Sequence, residues 1–183
     1  MGARFVISLL TAFAATLSAL GGIGWITARL LVDAPREQFL TSYFMFDLAP
    51  GWSCEIEETE YVCRPAGAKP YAAIAIIAMK ERNNLDRLED YQAHLQEPRK
   101  AVRSGGETVM SEIRYVRRKS LAGKQWVEGL HAGSEIPGYL TYYLATTTSY
   151  LGILVTLSVH KDHADKYMRQ LNEMMESLTV YQR

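Results

Sequence analysis

Residues 151–178 read LGILVTLSVHKDHADKYMRQLNEMMESL, and this stretch decides the fold class. Its first ten residues alternate. Leu151, Ile153, Val155, Leu157 and Val159 share one face of a strand, while Gly152, Thr156, Ser158 and His160 share the other. That period of two marks a sheet with one face in a core. The period then changes: Ala164, Tyr167, Met168, Leu171, Met174, Met175 and Leu178 recur every three or four residues, the apolar stripe of an amphipathic helix. Asp162 is placed to cap that helix, and Asp165 in its first turn complements the helix dipole. A one-sided strand running straight into a one-sided helix predicts a helix that packs back on a sheet.

Working outward, the preceding segments read as further strands. Lys124 to His131 and Tyr139 to Thr147 are separated by the turn signal Pro137-Gly138, and Ala122-Gly123 turns the chain out of a polar strand from Glu107 to Lys119. The loop Arg103-Ser104-Gly105-Gly106 leads into that polar strand. Leu85, Leu88, Tyr91 and Leu95 are spaced for a helix, with Asn83-Asn84 as its cap and Pro98 as its end. Tyr71 to Met79 is apolar on both parities, which predicts a central strand covered on both faces. Phe44 to Leu48 is a first strand, ended by Ala49-Pro50-Gly51. The order is that of an α+β domain, a mostly antiparallel sheet packed by helices, over residues 44–183.

The two cysteines, Cys54 and Cys63, lie in a hairpin with its turn at Glu58-Thr59. In that register Ile56 faces Tyr61, Glu55 faces Val62 and Cys54 faces Cys63, so the sulfurs are within reach of a disulfide. Two buried free thiols are the alternative. The spacing is not that of a redox Cys-x-x-Cys pair, and two sulfurs alone do not make a zinc site.

Between Arg4 and Arg29 the sequence has no charge. The run from Phe5 to Ala28 would span about 36 Å as a helix, enough for a hydrocarbon core of about 30 Å. Residues 1–32 therefore read as an N-terminal transmembrane signal-anchor, followed by a juxtamembrane linker over 33–43. A cleaved leader with its processing site at Ala19-Leu20-Gly21 is the other reading. The basic N-terminal flank keeps that end in the cytoplasm and sends the remainder across, by the excess of positive charge on the inner side. Either reading puts the domain in the periplasm, on the inner (cytoplasmic) membrane by a single pass if the segment is kept. An oxidising compartment agrees with a disulfide.

Several features together resemble the PsbP/DcrB-like family of α/β/α sandwiches. They are the opening Phe46-Asp47-Leu48-Ala49-Pro50-Gly51-Trp52, the helix from Asp86 to Leu95, the meander from Lys124 to His160 and a closing helix ending Met175-Glu176-Ser177-Leu178. The resemblance covers residues 44–181. It implies an accessory or binding protein, because the group spans extrinsic photosystem subunits, periplasmic lipoproteins, secretion chaperones and a nuclear-transport factor, with no shared active site. The chain departs from the lipoprotein branch in having no lipobox.

Composition and motifs point the same way. Twenty basic residues balance twenty acidic ones, which excludes the basic excess of a nucleic-acid binder. His160 and His163 straddle a strand-to-helix junction and lack the one-face spacing of a helical metal pair. His131, Ser134 and Glu135 sit close in sequence, but no nucleophile elbow surrounds the serine. No catalytic residue, metal or cofactor is expected. Arg114, Arg117, Arg118 and Lys124 cluster around one hairpin and, with Tyr142, form the expected docking patch for a protein partner. The function expected is a non-enzymatic, membrane-anchored accessory or assembly subunit that binds a partner in a membrane or envelope complex. A small-ligand-binding periplasmic domain is the alternative.

Overall fold

The computed structural model describes residues 36–67, 72–84, 86–102, 108–136 and 138–181. The expected membrane anchor, Leu85 of the helix pattern, the loop 103–106 and Pro137 of the turn lie outside these. In chain order the strands are β1 (Gln38–Leu40), β2 (Phe44–Asp47), β3 (Trp52–Glu57), β4 (Glu60–Pro65) and β5 (Ala73–Glu81). Helix α1 (Leu88–Leu95) follows, then β6 (Lys100–Val102), β7 (Thr108–Met110), β8 (Glu112–Leu121), β9 (Lys124–Ala132), β10 (Tyr139–Thr147) and β11 (Leu151–His160). The chain ends with helix α2 (Ala164–Glu176) and β12 (Thr179–Val180).

Seven strands make the main sheet in the order β3-β4-β5-β11-β10-β9-β8, every neighbouring pair antiparallel. The alternation of β11 now has its physical meaning. Val155 pairs with Leu144 and Ile77, and Leu157 pairs with Tyr142 and Ala75, so one parity of all central strands points to one side. That side holds the main core. Leu171, Met174 and Met175 of α2 close over it, and Phe44 and Phe46 of β2 join them, all buried. The strand read from Phe44 to Leu48 is not part of the large sheet: β2 sits between β1 and β12 in a separate three-stranded sheet. β1 itself lies within the stretch read as a linker.

On the opposite side α1 is the one helix among the described residues. This eight-residue helix is about 12 Å long. It seats Leu95 against Val127 and Tyr143, with Leu88, Tyr91 and Val116 around them. The two-sided cover expected for the strand Tyr71 to Met79 is therefore only partly met. Ala73, Ala75 and Ile77 are buried under α2, whereas Ile74, Ile76 and Ala78 on the other parity are half-buried.

Two local expectations change, and one turn holds. The polar strand from Glu107 to Lys119 breaks at Ser111, whose backbone N–H donates to Arg99 O at 2.7 Å, so β7 pairs with β6 and only β8 joins the main sheet. The α2 end is capped differently from the reading: His160 Nδ1 accepts from the Asp162 N–H at 3.4 Å in the turn before the helix, and Asp162 does not cap it. The turn Ala122-Gly123 places both residues at positive φ, 51° and 69°, the conformation of a tight hairpin that matches strand twist.

The cysteine hairpin forms in the expected register, Cys54 opposite Cys63, and the two are joined by a disulfide across a Cα–Cα distance of 4.0 Å. The bond closes a short loop, for which the chain-entropy account gives a stabilisation of about 2–3 kcal/mol. Thiol alkylation of unreduced protein should label neither cysteine. A Cys54→Ala/Cys63→Ala variant should unfold at correspondingly lower denaturant, which chemical denaturation will measure.

Candidate functional site

The basic cluster does not form a single surface. Consecutive strand residues point to opposite faces, and β8 obeys this. Arg117 lies on the α2 side, where its Nε and Nη2 both reach Glu128 Oε1 at 2.5 Å. Arg118 lies on the α1 side, donating to Gln92 Oε1 at 2.7 Å and Glu89 Oε1 at 2.9 Å. Arg114 sits where the β8–β9 register shifts, paired with Glu112 at 3.0 Å. It stands at the rim of a cleft of about 630 Å³ beside Met110, Leu130 and Lys161. One wall of that cleft, the β6–β7 hairpin, closes through residues 103–107, outside those described. Lys124 begins β9 opposite Leu121. Tyr142 is not at the surface at all, being 1% exposed. Arg117 stitches the edge strand β8 to β9, Arg118 ties it to α1, Arg114 pairs within β8, and the tyrosine belongs to the core.

Tyr142 serves a buried polar cluster that the sequence did not announce. Its hydroxyl donates to Glu128 Oε2 at 2.6 Å, and Lys119 Nζ lies 3.3 Å from the same oxygen and donates to Asn172 Oδ1 of α2 at 2.8 Å. Burial pushes the Glu128 carboxyl up, but the donors Tyr142 and Arg117 and the Lys119 charge outweigh it and hold it below the ordinary value. Burial, reinforced by Glu128, pushes the Tyr142 phenol far up. Glu128 is 1% exposed and both its oxygens are taken, so the cluster ties β8, β9 and β10 to α2.

On the other face, polar clamps hold both ends of α1. At its start, Asp86 accepts from the Asn83 N–H at 2.8 Å and the Tyr91 hydroxyl at 2.9 Å, and pairs with Lys80 Nζ at 2.6 Å. These partners, the backbone N–H first, bring its carboxyl down to about 2. Burial, then Asp86, raises the Tyr91 phenol to about 12. At the other end His131 is fully buried. The Leu95 carbonyl can only accept, so His131 Nε2 donates to it at 2.9 Å, and Nδ1 accepts from Ser111 Oγ at 3.2 Å. Burial, with the Arg99 charge, lowers the imidazole pKa and keeps it neutral. Ser134 and Glu135 are drawn to Tyr143, whose hydroxyl lies 3.1 Å from Ser134 Oγ and 2.9 Å from Glu135 Oε1. The residues grouped in the His131–Glu135 loop thus diverge: His131 clamps a helix end, while Ser134 and Glu135 anchor a loop to Tyr143.

Beside α1 the sheet stays accessible. Two adjoining clefts of about 510 Å³ and about 400 Å³ share Ala78, Glu135, Leu154 and Thr156. Tyr91, His94 and Leu95 of α1 wall the first, and Ile74, Ile76 and Ile136 line the second. Leu154, in the middle of central strand β11, is 39% exposed. A concave, mostly apolar surface with polar groups at its margins is the usual form of a binding site. The signal for it was present in the sequence as an apolar residue on the polar parity of β11, facing the second apolar parity of the Tyr71–Met79 strand.

The depth of the groove is set by Gly152, over which Tyr91 lies; a Cβ there would come within 2.6 Å of the Tyr91 hydroxyl. Gly152→Ala should cost about 1–3 kcal/mol, and Tyr91→Phe about 1 kcal/mol. The double variant should cost clearly less than their sum, since losing the hydroxyl frees the space; denaturant melts of the four proteins complete the cycle. On the other face, Glu128→Ala should cost about 1–3 kcal/mol by removing the acceptor of the buried Tyr142 hydroxyl. Because the Glu128 carboxyl is depressed in the fold, its contribution is complete above the unfolded carboxylate pKa and is lost as pH falls through the lower native value. Acid-unfolding curves of Glu128→Gln should lack that component.

No protein-family description matches the chain, and no curated protein matches it in sequence. In structure it is similar to cyanobacterial PsbP (CyanoP) from Synechocystis sp. PCC 6803, at TM-score 0.56 and 13% identity, covering 81% of this chain and 94% of that one. It is similar to the Ran-binding protein Mog1p of Saccharomyces cerevisiae, at TM-score 0.50 and 11% identity, covering 80% and 95%. It is also similar to LpqN, involved in cell envelope biogenesis of Mycobacterium tuberculosis, at TM-score 0.50 and 11% identity, covering 82% and 87%. The described domain therefore has the PsbP/Mog1-like fold, as the sequence resemblance implied.

Proposed function

We propose that this protein is a non-enzymatic accessory subunit, tethered to the inner membrane by its N-terminal segment, whose periplasmic domain binds a protein partner of a membrane or envelope complex. The observation that carries the reading is the accessible apolar strip around Leu154. Burying such surface on a partner is favourable at about 25 cal/mol per Å², and contiguous apolar patches on otherwise polar proteins mark interaction sites. The buried polar side chains support it too. Glu128, His131, Ser111 and Asp86 all spend their hydrogen-bonding capacity on holding helices to the sheet.

The compartment rests on the uncharged run from Phe5 to Ala28 and is supported by the disulfide, which persists in oxidising surroundings. Tethering confines the domain near a membrane-bound partner and raises its effective concentration there. LpqN, described as involved in envelope biogenesis, and Mog1p, described as Ran-binding, share the fold and accord with a binding role.

The protein should stay with membranes through high-salt and alkaline washing, because an apolar span is not held by charge. Leu154→Asp should leave it folded, membrane-bound and disulfide-linked, yet unable to complement a deletion strain or to retain partners in detergent-solubilised membranes. His160→Ala and His163→Ala, which touch neither cleft, should complement fully. Full complementation by Leu154→Asp would overturn the binding reading at this face.

A further inference from the structure

From the shape and charge of the open strip we infer its occupant: an amphipathic helix of the partner, apolar on one face and basic along one flank, which lies beside α1 and completes the outer layer of the sandwich. The inference rests on the binding role proposed above and adds the chemistry of the partner.

The shape argument starts from what α1 leaves uncovered. It lies over β8, β9 and β10, where Leu95 packs on Val127 and Tyr143. The neighbouring strands β11 and β5 lie beside it, and β4, whose Val62 is buried, bounds them on the far side. Two strands, each about 4.8 Å wide, make a floor about 10 Å across. That is the diameter of one helix with its side chains, about 10–12 Å. The floor, Ile74, Ile76, Ala78 and Leu154, is apolar across two strands. The flank of α1, with Tyr91, His94 and Leu95, gives a side wall of the kind a packed neighbour uses. A single extended segment would fill about half that width and leave apolar floor in water.

Charge selects among helices. The wall opposite α1 is the β3–β4 hairpin. Its register puts Glu55 opposite Val62, Val62 opposite Ile76, and Glu57 opposite Glu60, so all three carboxylates stand on the same side of the sheet as the strip. Arg64 bridges Glu55 and Glu57 at 2.5 and 2.7 Å. Glu60 lines the cleft itself, and Glu135 stands at its margin shared with the neighbouring cleft. Among the described residues, four exposed carboxylates thus face one guanidinium, that of Arg64. The other described cations lining the clefts lie toward the α1 wall: Lys80 is paired with Asp86, and Arg99 is bound to the carbonyl of His94. A helix laid apolar face down would therefore meet an acidic wall on one side, which favours Lys and Arg along that flank and repels Asp and Glu.

The test uses the full chain in nanodiscs of zwitterionic phosphatidylcholine, with empty nanodiscs as background. Two fluorescent peptides of about four helical turns share one apolar stripe; one carries lysines along a flank, the other glutamates. Anisotropy titration should show saturable binding of the basic peptide, at least tenfold tighter than the acidic one. Leu154→Asp should abolish it. Glu60→Lys, which alters one exposed side chain lining the cleft, should narrow the preference. A basic peptide with the same residues in an order that scatters the stripe should not bind. Equal binding of both charge forms, binding of the scattered peptide, or failure of the basic peptide to bind overturns the helix. If that happens while Leu154→Asp still loses complementation, the strip has a different occupant, and the binding role stands without this partner.

Discussion

A β-sheet has two faces of equal area, and this chain supplies unequal cover for them. Every other feature follows from that imbalance. The α2 side receives a thirteen-residue helix with buried Leu171, Met174 and Met175, plus the aromatic residues of β2. The α1 side receives eight residues with one buried position, Leu95. A helix so short is marginal in isolation, so its place depends on the sheet beneath it.

The two faces are accordingly held by different physics. Under α2 the apolar stripe dominates, and the Glu128 cluster adds a polar tie whose desolvation is offset by hydrogen bonds to both oxygens. Under α1 there is little apolar area, so polar clamps carry more of the load. Asp86 fixes the start through Asn83, Tyr91 and Lys80, and His131 fixes the end at the Leu95 carbonyl. Gly152 lets Tyr91 approach the sheet closely. The same glycine that seats α1 also defines the floor of the groove next to it, so the fold and the binding surface share a residue.

The reach of sequence reasoning can be seen in single positions. The periods of β11 and α2 were legible because alternation and helical recurrence are local properties of the chain. So was the register of Cys54 and Cys63, since a tight turn fixes which residues face each other across a hairpin. The basic cluster was misleading for an equally physical reason. Arg117 and Arg118 are neighbours in sequence and therefore lie on opposite faces of β8, where one finds Glu128 and the other Glu89. Tyr142 looked like an interface aromatic, but its parity places it with Leu157 and Ala75 in the core.

The sequence by itself determined the class of the domain, the order of its main elements and the pairing of its cysteines, because these follow from periodicity and turn chemistry within short stretches. Only the tertiary structure decided which faces are covered and which polar groups are consumed. Ile74 and Ile76 look like core residues in a local reading, and Leu154 stands out only as an apolar residue on the polar parity of β11. They become a surface because α1, fixed by contacts far apart in sequence, lies over β8 to β10 and leaves the middle of β11 and β5 accessible. Whether a side chain is core or site depends on what packs over it, and that is settled by long-range contacts that no short window of sequence contains.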